Sequence, residues 1–263
     1  MGKAYAILTD YHRDFILRQP VIFVATAPLA ADGRINLSPK GLSGTTAFLP
    51  PPDVLPLPAP LHPPPFGTIA TFAYMDVGGS GVETPAHTRE NGRITVLAAE
   101  LSSPDAAPKL VRLYGRGHAM EPGDESWDAV VRCFDPKAVG RYSAASGPSQ
   151  KLRGIVLVHV TCIRDSCGYG VPRVKVVGDR EIFVDKYYND GVPASAVWER
   201  REKSYGNGRS LDGLPGLRRF ESSRDKVGPS EGEGRGFATE VGRLLLAAAF
   251  GGVLAVAVMM MWS

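Results

Sequence analysis

The sequence has little of what marks several large classes of protein. Its net charge is only +3 over 263 residues, with acidic and basic residues interspersed, so it offers no basic stripe to neutralise the phosphates of a nucleic acid. The three cysteines, Cys133, Cys162 and Cys167, are too few and odd in number for a secreted disulfide framework. No CxxC pair occurs, and the five histidines show no metal-ligand spacing. We therefore expect no nucleic-acid partner and no metal site.

Long apolar runs are also scarce, except towards the C-terminal end. The first residues contain no run long enough for a signal peptide, since Asp10 interrupts them early. Residues 244–262 contain no charged residue and no proline, and Arg243 precedes them. About 20 apolar residues span a bilayer core, and a cation at the near edge favours the cytosolic side. These patterns predict a flexible linker over 221–243 and a transmembrane tail anchor over 244–262, with the main domain facing the cytosol. A buried core helix is the alternative interpretation.

The remaining chain, residues 1–220, is predicted to be one mainly β domain with flanking helices. Apolar and alternating runs predict strands over 21–26, 34–38, 68–77, 93–99, 110–119 and 154–163. Amphipathic or charged runs predict helices over 11–19, 82–90, 125–134 and 195–207. About six strands joined partly by hairpins favour an antiparallel barrel, because closure of the sheet removes exposed edges.

A proline-rich insertion over 49–66 interrupts this pattern. It holds nine prolines between Pro50 and Pro65, a density that cannot sustain a helix or donate to a sheet. The composition predicts a polyproline-like or disordered excursion. Two interpretations stay open, a tolerated surface insertion and a ligand for a proline-recognising partner at 50–65.

Four segments, in order along the chain, carry a resemblance to a known family. They are 23–26 with 33–41, which ends in Ser-Pro-Lys-Gly; 79–94, which includes Gly-Ser-Gly-Val-Glu-Thr and Glu-Asn-Gly-Arg-Ile; 112–117; and 166–172. Together with the late segment 210–215, they resemble the pyridoxamine 5′-phosphate oxidase-like FMN-binding split-barrel family. The resemblance implies an antiparallel split β-barrel and a homodimer with FMN at the subunit interface.

The resemblance also implies that strand and helix-start residues grip the FMN phosphate. Lys40 is a suitable cation, and Asn36 and Ser38 share one strand face because side chains alternate. Glycines leave backbone N–H groups free beside Ser80 and Thr84. Two arginines offer bidentate contacts, and one tyrosine offers a stacking ring. The predicted cofactor-binding residues are Asn36, Ser38, Lys40, Ser80, Thr84, Arg112, Arg116 and Tyr169.

Structural interpretations of the same residues stay open. Asn36 and Ser38 could be solvent-facing strand residues, and Ser80 or Thr84 could be helix caps. Arg116 could pair with a surface acid.

The function implied is a flavin-dependent oxidoreductase acting on an unidentified small substrate. No catalytic residue is predicted, because a flavin supplies the electron chemistry and Cys167 has no evident partner base. The sequence lacks the arginine-rich carboxyl-terminal element of true pyridoxamine phosphate oxidases, so oxidation of vitamin B6 is not expected. The alternative is a non-catalytic cofactor-binding or scaffold module of the same fold.

Overall fold

One antiparallel sheet of eight strands, flanked by helices, dominates the part of the chain that the structure describes. The structure is a computed structural model that describes residues 2–64, 67–102, 108–143, 150–204 and 206–220. The strands are β1 (Ala4–Tyr5), β2 (Val21–Thr26), β3 (Asn36–Gly41), β4 (Thr46–Phe48), β5 (Ala70–Asp76), β6 (Arg93–Ala99), β7 (Lys109–Met120) and β8 (Gly154–Cys167). The helices are α1 (Asp10–Leu17), α2 (Glu83–Glu90), α3 (Trp127–Val131), α4 (Pro136–Tyr142), α5 (Glu181–Tyr187) and α6 (Ala194–Ser204).

Strand β8 pairs with three other strands of this sheet. The strand order is β3-β2-β6-β7-β8-β5-β4, and every pairing is antiparallel. One edge of β8 pairs with β7, with a register shift at Tyr114/Gly115, while its other edge pairs with β5 and then with β1. This barrel-like antiparallel sheet with flanking helices fits the predicted split barrel.

The two faces of the sheet contribute to two different cores. Because side chains alternate along a strand, Val156 and Val158 of β8 point one way, while Ile155 and Leu157 point the other. The first pair joins the inner core, which also contains Ile22, Val24, Phe72, Val96 and Leu113. The second pair joins the outer core, which also contains Met75, Trp127, Phe134, Tyr187 and Val197. The near-continuous apolar run of β8 is therefore explained by burial on both faces.

The proline-rich segment packs against the outer core over the residues described. Leu55 and Leu57 lie against this core, and the Ser126 hydroxyl donates to the Pro56 carbonyl at 2.8 Å. The Nε2 atom of His62 lies 3.1 Å from the carbonyl oxygen of Arg89. The segment forms no strand or helix between residues 50 and 64, as its prolines require, yet its leucines anchor it to the fold.

The predicted fold class requires one correction, because it included a transmembrane helix. A helix that crosses a bilayer core of about 30 Å needs about 20 residues, whereas the longest described helix, α6, has 11. None of the described helices is long and apolar enough to cross a membrane. The predicted span over 244–262 and the linker over 221–243 lie outside the described residues. The membrane-anchored, cytosol-facing localisation that rested on this helix is corrected with it.

Smaller differences concern elements too short for a periodic pattern to reveal. The predicted helix over 125–134 is shorter, Trp127–Val131, and a separate helix, α4, begins at Pro136 where Asp135 caps it. The three-residue strand β4 and helix α5 were not predicted. Both depend on tertiary contacts, since each is too short to be stable alone.

We predict that the proline-rich segment contributes to stability through its partly buried leucines. Leu57→Ser should lower the free energy of unfolding by about 1–2 kcal/mol, because it removes apolar contact with the outer core. Leu61→Ser is the matched control, since Leu61 is 63% exposed, and it should change stability by less than about 0.5 kcal/mol. Urea unfolding measures both. Equal effects of the two substitutions would show that the segment is not docked.

Candidate functional site

Strand β3 points three polar side chains towards the inner face of the sheet. Asn36, Ser38 and Lys40 alternate with residues that are more exposed. Ser38 lies opposite Val24, which is fully buried in the inner core. An edge strand that carries polar residues on its core-facing side leaves them available to something other than the core.

Three of the predicted residues meet in one hydrogen-bond network. The Asn36 amide donates to the hydroxyls of Thr26 and Thr84, each at 3.0 Å, and the Ser38 hydroxyl donates to Asn36 Oδ1 at 2.8 Å. The Thr26 hydroxyl lies 3.0 Å from His87 Nδ1. The network joins β2, β3 and the start of α2. Asn36 and Ser38 are thus partly buried and held in the network, so they are more than solvent-facing strand residues.

Two buried polar atoms beside this network have no hydrogen-bond partner among the described residues. They are the Tyr74 hydroxyl and His87 Nε2. Tyr74 lies close enough to Thr84 for the two hydroxyls to influence each other, although they form no well-aligned hydrogen bond. Burial raises the pKa of Tyr74 and lowers the pKa of His87, so both are neutral near pH 7. Unpartnered buried polar groups are costly and call for a ligand or a functional reason. We call Asn36, Ser38, Lys40, Tyr74 and Thr84 the β3–α2 cluster.

Lys40 stands at one end of the cluster, beside a buried ion pair. Its ammonium lies 3.8 Å from Asp76 Oδ1 and 6.0 Å from the centre of the Tyr74 ring. Asp76 is bound by Arg153, whose Nε and Nη2 donate at 2.7–3.0 Å. The side chains of Arg153 and Asp76 are only 2% and 4% exposed. Lys40 therefore shares its carboxylate with a stronger partner.

The pKa of Asp76 is set by opposing effects. Burial alone would raise it, but the positive charges of Arg153, Lys40 and Arg201 together outweigh burial and lower the pKa below its usual value. Three cations surrounding one buried carboxylate leave an excess of positive charge at this end of the cluster. Such a region favours an anion.

Ser80 lies near this ion pair but apart from the network. It is exposed in the glycine loop that precedes α2, and Arg153 holds this loop by donating to the carbonyls of Gly79 and Gly81 at 3.3 and 2.9 Å. No side chain caps α2, so neither Ser80 nor Thr84 acts as its cap. Thr84 instead joins the network, while Ser80 faces a separate cleft beside α5.

The two predicted arginines lie on the opposite face of the sheet. Arg112 is in register with Leu97 and, through it, with Phe23 and Pro39, a row that alternates with the inner-facing residues. Arg112 donates to the Ser166 hydroxyl at 3.1 Å, and Arg116 donates to the Asn91 carbonyl at 2.8 Å. Within one chain, neither residue reaches the β3–α2 cluster.

The remaining predicted residue, Tyr169, is 75% exposed after the end of β8. No contact between it and the β3–α2 cluster is described. Cys167, which was not predicted to be catalytic, is also exposed, and it lies opposite Lys109 at the end of the β7–β8 pairing.

The sequence interpretation did not identify Thr26, Tyr74, Asp76, His87 and Arg153 as site residues. Tyr74 and Asp76 share one strand face, so alternation could have grouped them. Arg153 is 77 positions away from Asp76, and no local pattern indicates their pairing.

The comparisons with known proteins establish the family. The chain is 34% identical over 233 residues to the pyridoxamine 5′-phosphate oxidase family protein ustO of Aspergillus flavus, and the match covers 84% of this chain and 80% of the relative. No family model matches the sequence. The chain belongs to the pyridoxamine 5′-phosphate oxidase family, and the resemblance found in the sequence is confirmed.

Solved structures show weaker likeness. HupZ of Group A Streptococcus is 19% identical with a TM-score of 0.37, covering 64% of this chain and 100% of its own. A FAD-binding protein from Mesorhizobium loti is 12% identical with a TM-score of 0.36, covering 63% and 99%. A heme binding protein from Mycobacterium smegmatis is 17% identical with a TM-score of 0.35, covering 60% and 53%. Because each TM-score is below 0.5, these likenesses determine no ligand for this chain.

We predict that the Asp76–Arg153 pair makes stability depend on pH. Asp76 has a lower pKa in the folded state than in the unfolded state, so its ionised form stabilises the fold above about pH 4, and this contribution is lost as pH falls through the folded-state pKa. Asp76→Asn should lower the free energy of unfolding at pH 7 by about 3–5 kcal/mol, because Arg153 stays buried without its charge partner.

Urea unfolding between pH 7 and pH 3 tests this. The difference between wild type and Asp76→Asn should narrow below about pH 4, while the exposed control Asp128→Asn should follow the wild type throughout. A constant difference across the range would contradict the assignment.

Proposed function

We propose that the chain binds a flavin, most specifically FMN, with the phosphate held at the β3–α2 cluster. The observation that carries the proposal is the set of polar side chains that β3 turns inward beside the start of α2. Lys40 supplies a cation that is 21% exposed. The Thr84 hydroxyl accepts from Asn36 and keeps its own hydrogen for a phosphate oxygen, whereas the Ser38 hydroxyl donates to Asn36.

The residues present fit a phosphate-bearing ligand on three counts. The Tyr74 hydroxyl is buried without a partner and can donate to a phosphate oxygen. Helix α2 has no side-chain cap, so the N–H groups of its first turn and its dipole favour an anion. Positive charge around Asp76 exceeds negative charge. The relative belongs to a family named for an oxidase, which supports a redox cofactor.

A bound flavin would supply hydride or electron transfer, and the protein would bind and orient it. Lys40 would neutralise phosphate charge, with Asp76 and Arg153 limiting where its ammonium can lie. Asn36 would fix the Ser38 and Thr84 hydroxyls through its amide. Because the flavin supplies the chemistry and the protein binds and orients it, no catalytic side chain is required. We propose an oxidoreductase that acts on an unidentified small substrate.

We further propose that the chain forms a homodimer through the outer face of β3, β2, β6 and β7. This face is partly exposed, and Leu37 is 67% exposed at its edge. Its in-register rows contain the apolar residues Phe23, Ala25, Leu37, Pro39, Leu97 and Tyr114, with Thr95 and Arg93 beside them. Arg112 and Arg116 lie on the same face. They would contact a flavin only if a second copy brought this face to the β3–α2 cluster.

A non-catalytic cofactor-binding or scaffold module is the second candidate function. Such a module would hold the same ligand at the β3–α2 cluster without turnover. A proline-recognising partner at 50–65 stays a prediction, and the packing of Leu55 and Leu57 leaves only the outward prolines for such a partner. Turnover of a reduced flavin separates the two candidates.

We predict that Lys40 recognises the phosphate of FMN specifically. Lys40→Met should weaken FMN binding about 10- to 100-fold, the value of one charge-assisted contact, but should leave the binding of riboflavin unchanged. Flavin fluorescence quenching measures both affinities. Lys137→Met, an exposed lysine on α4, is the matched control and should bind like wild type. If the purified protein is colourless and binds no added flavin, the proposal fails.

We predict that a charge on the outer sheet face dissociates the dimer. Leu37→Asp should convert the dimer to a monomer, because it buries a carboxylate among the apolar side chains at the edge of the interface. Light scattering coupled to size-exclusion chromatography reports the mass. Val177→Asp is the control, since Val177 is also highly exposed but follows β8. A wild-type chain that is monomeric at all concentrations would refute the interface.

A further inference from the structure

A second cleft lies between the glycine loop and helix α5, outside the β3–α2 cluster. It encloses about 290 Å³. We call it the α5 cleft, and its lining residues are Gly78, Gly79, Ser80, Ile182, Phe183, Lys186, Tyr187 and Arg201. This volume is just below the range of about 300–1,000 Å³ that is usual for small-molecule sites.

One wall of the α5 cleft is apolar and aromatic. The rings of Phe183 and Tyr187 lie 4.9 Å apart between centroids, and Ile182 is 77% exposed on the same helix. An exposed isoleucine beside two aromatic rings forms an apolar surface whose exposure to water is unfavourable. This wall suits the flat hydrocarbon part of a ligand.

The opposite wall requires glycine and leaves backbone donors free. Gly78 has φ +144°, a conformation that other residues rarely adopt, and a Cβ there would lie 2.9 Å from Phe183 Cζ. No hydrogen bond is described for the N–H groups of Gly79 and Ser80. Backbone donors without a protein partner, in a loop that lines a cleft, are available to a ligand's oxygen atoms.

The charges that line the α5 cleft are both positive. Arg201 is 2% exposed, and the hydrogen bonds described for its guanidinium all go to neutral oxygens: the carbonyls of Lys151 and Val77 and the Tyr188 hydroxyl. The negative charge of Asp76 acts on the Arg201 guanidinium, but Arg153 already binds the Asp76 carboxylate. Lys186 is exposed and has no ion pair among the described residues. A buried cation with neutral partners is stabilised by a nearby anion.

We propose that the α5 cleft binds a small aromatic carboxylate. The ring would lie against Phe183, Tyr187 and Ile182, and the carboxylate would accept from the N–H groups of Gly79 and Ser80 within the field of Lys186 and Arg201. The glycine loop separates this cleft from the Asp76–Arg153 pair, so the ligand is distinct from the proposed flavin phosphate. The inference does not require that a flavin binds.

Isothermal titration calorimetry of the full chain with 2-naphthoate tests the proposal. We expect saturable binding at one site, and the neutral isostere 2-naphthamide should bind at least about fivefold more weakly, because it lacks the charge. Lys186→Gln should weaken naphthoate about two- to fivefold, as expected for a partly exposed cation, and should leave naphthamide unchanged. Lys137→Gln, an exposed lysine on α4, is the matched control and should bind like wild type.

A second variant tests the apolar wall without touching a cation. Ile182→Ser should weaken naphthoate and naphthamide alike, by about five- to tenfold, because it removes apolar contact from the wall, and it should fold normally because residue 182 is exposed. The proposal is overturned if naphthoate does not bind, if naphthamide binds equally well, or if Ile182→Ser binds as tightly as wild type.

Discussion

The buried ion pair between Asp76 and Arg153 is the interaction on which the rest of this site depends. It joins the ends of β5 and β8, and Arg153 also holds the carbonyls of the glycine loop and the side chain of Asn207. Desolvating two charges is costly, so such a pair persists only where each lone pair and proton has a partner. Here the surplus donors of Arg153 fix the loop that leads into α2. The same interaction therefore positions both the β3–α2 cluster and the α5 cleft.

Strand β3 adds the polar side chains that make this end of the sheet a candidate ligand site. Because β3 is at the edge of the sheet, its inward side chains need not be apolar, and Asn36, Ser38 and Lys40 occupy positions that a central strand would fill with core residues. The Asn36 amide fixes the Thr84 hydroxyl as a donor before a ligand arrives, while its oxygen accepts the hydrogen of Ser38. Preorganised donors lose little entropy on binding, which is the advantage of building the site on strands and a helix start.

Much of this could be predicted from the sequence, and the limits have physical causes. Alternation placed Asn36 and Ser38 on one face, and the structure agrees that they share it. The same rule could not show that Arg112 and Arg116 lie on the opposite face, because that depends on how β7 is registered against β6. Likewise, composition predicted that the proline-rich segment has no regular structure, but not that Leu55 and Leu57 pack on the outer core. The predicted transmembrane helix was the interpretation that the findings contradicted.

By itself, the sequence determined the family, the antiparallel character of the sheet and the positions of its longer strands, because side-chain periodicity and ordered motifs are local properties. Only the tertiary structure decided which polar residues meet. Asp76 and Arg153 are 77 positions apart, and Asn36 is hydrogen-bonded to Thr84, which is 48 positions away. Contacts of this kind depend on strand order and register, and no local pattern of residues encodes them.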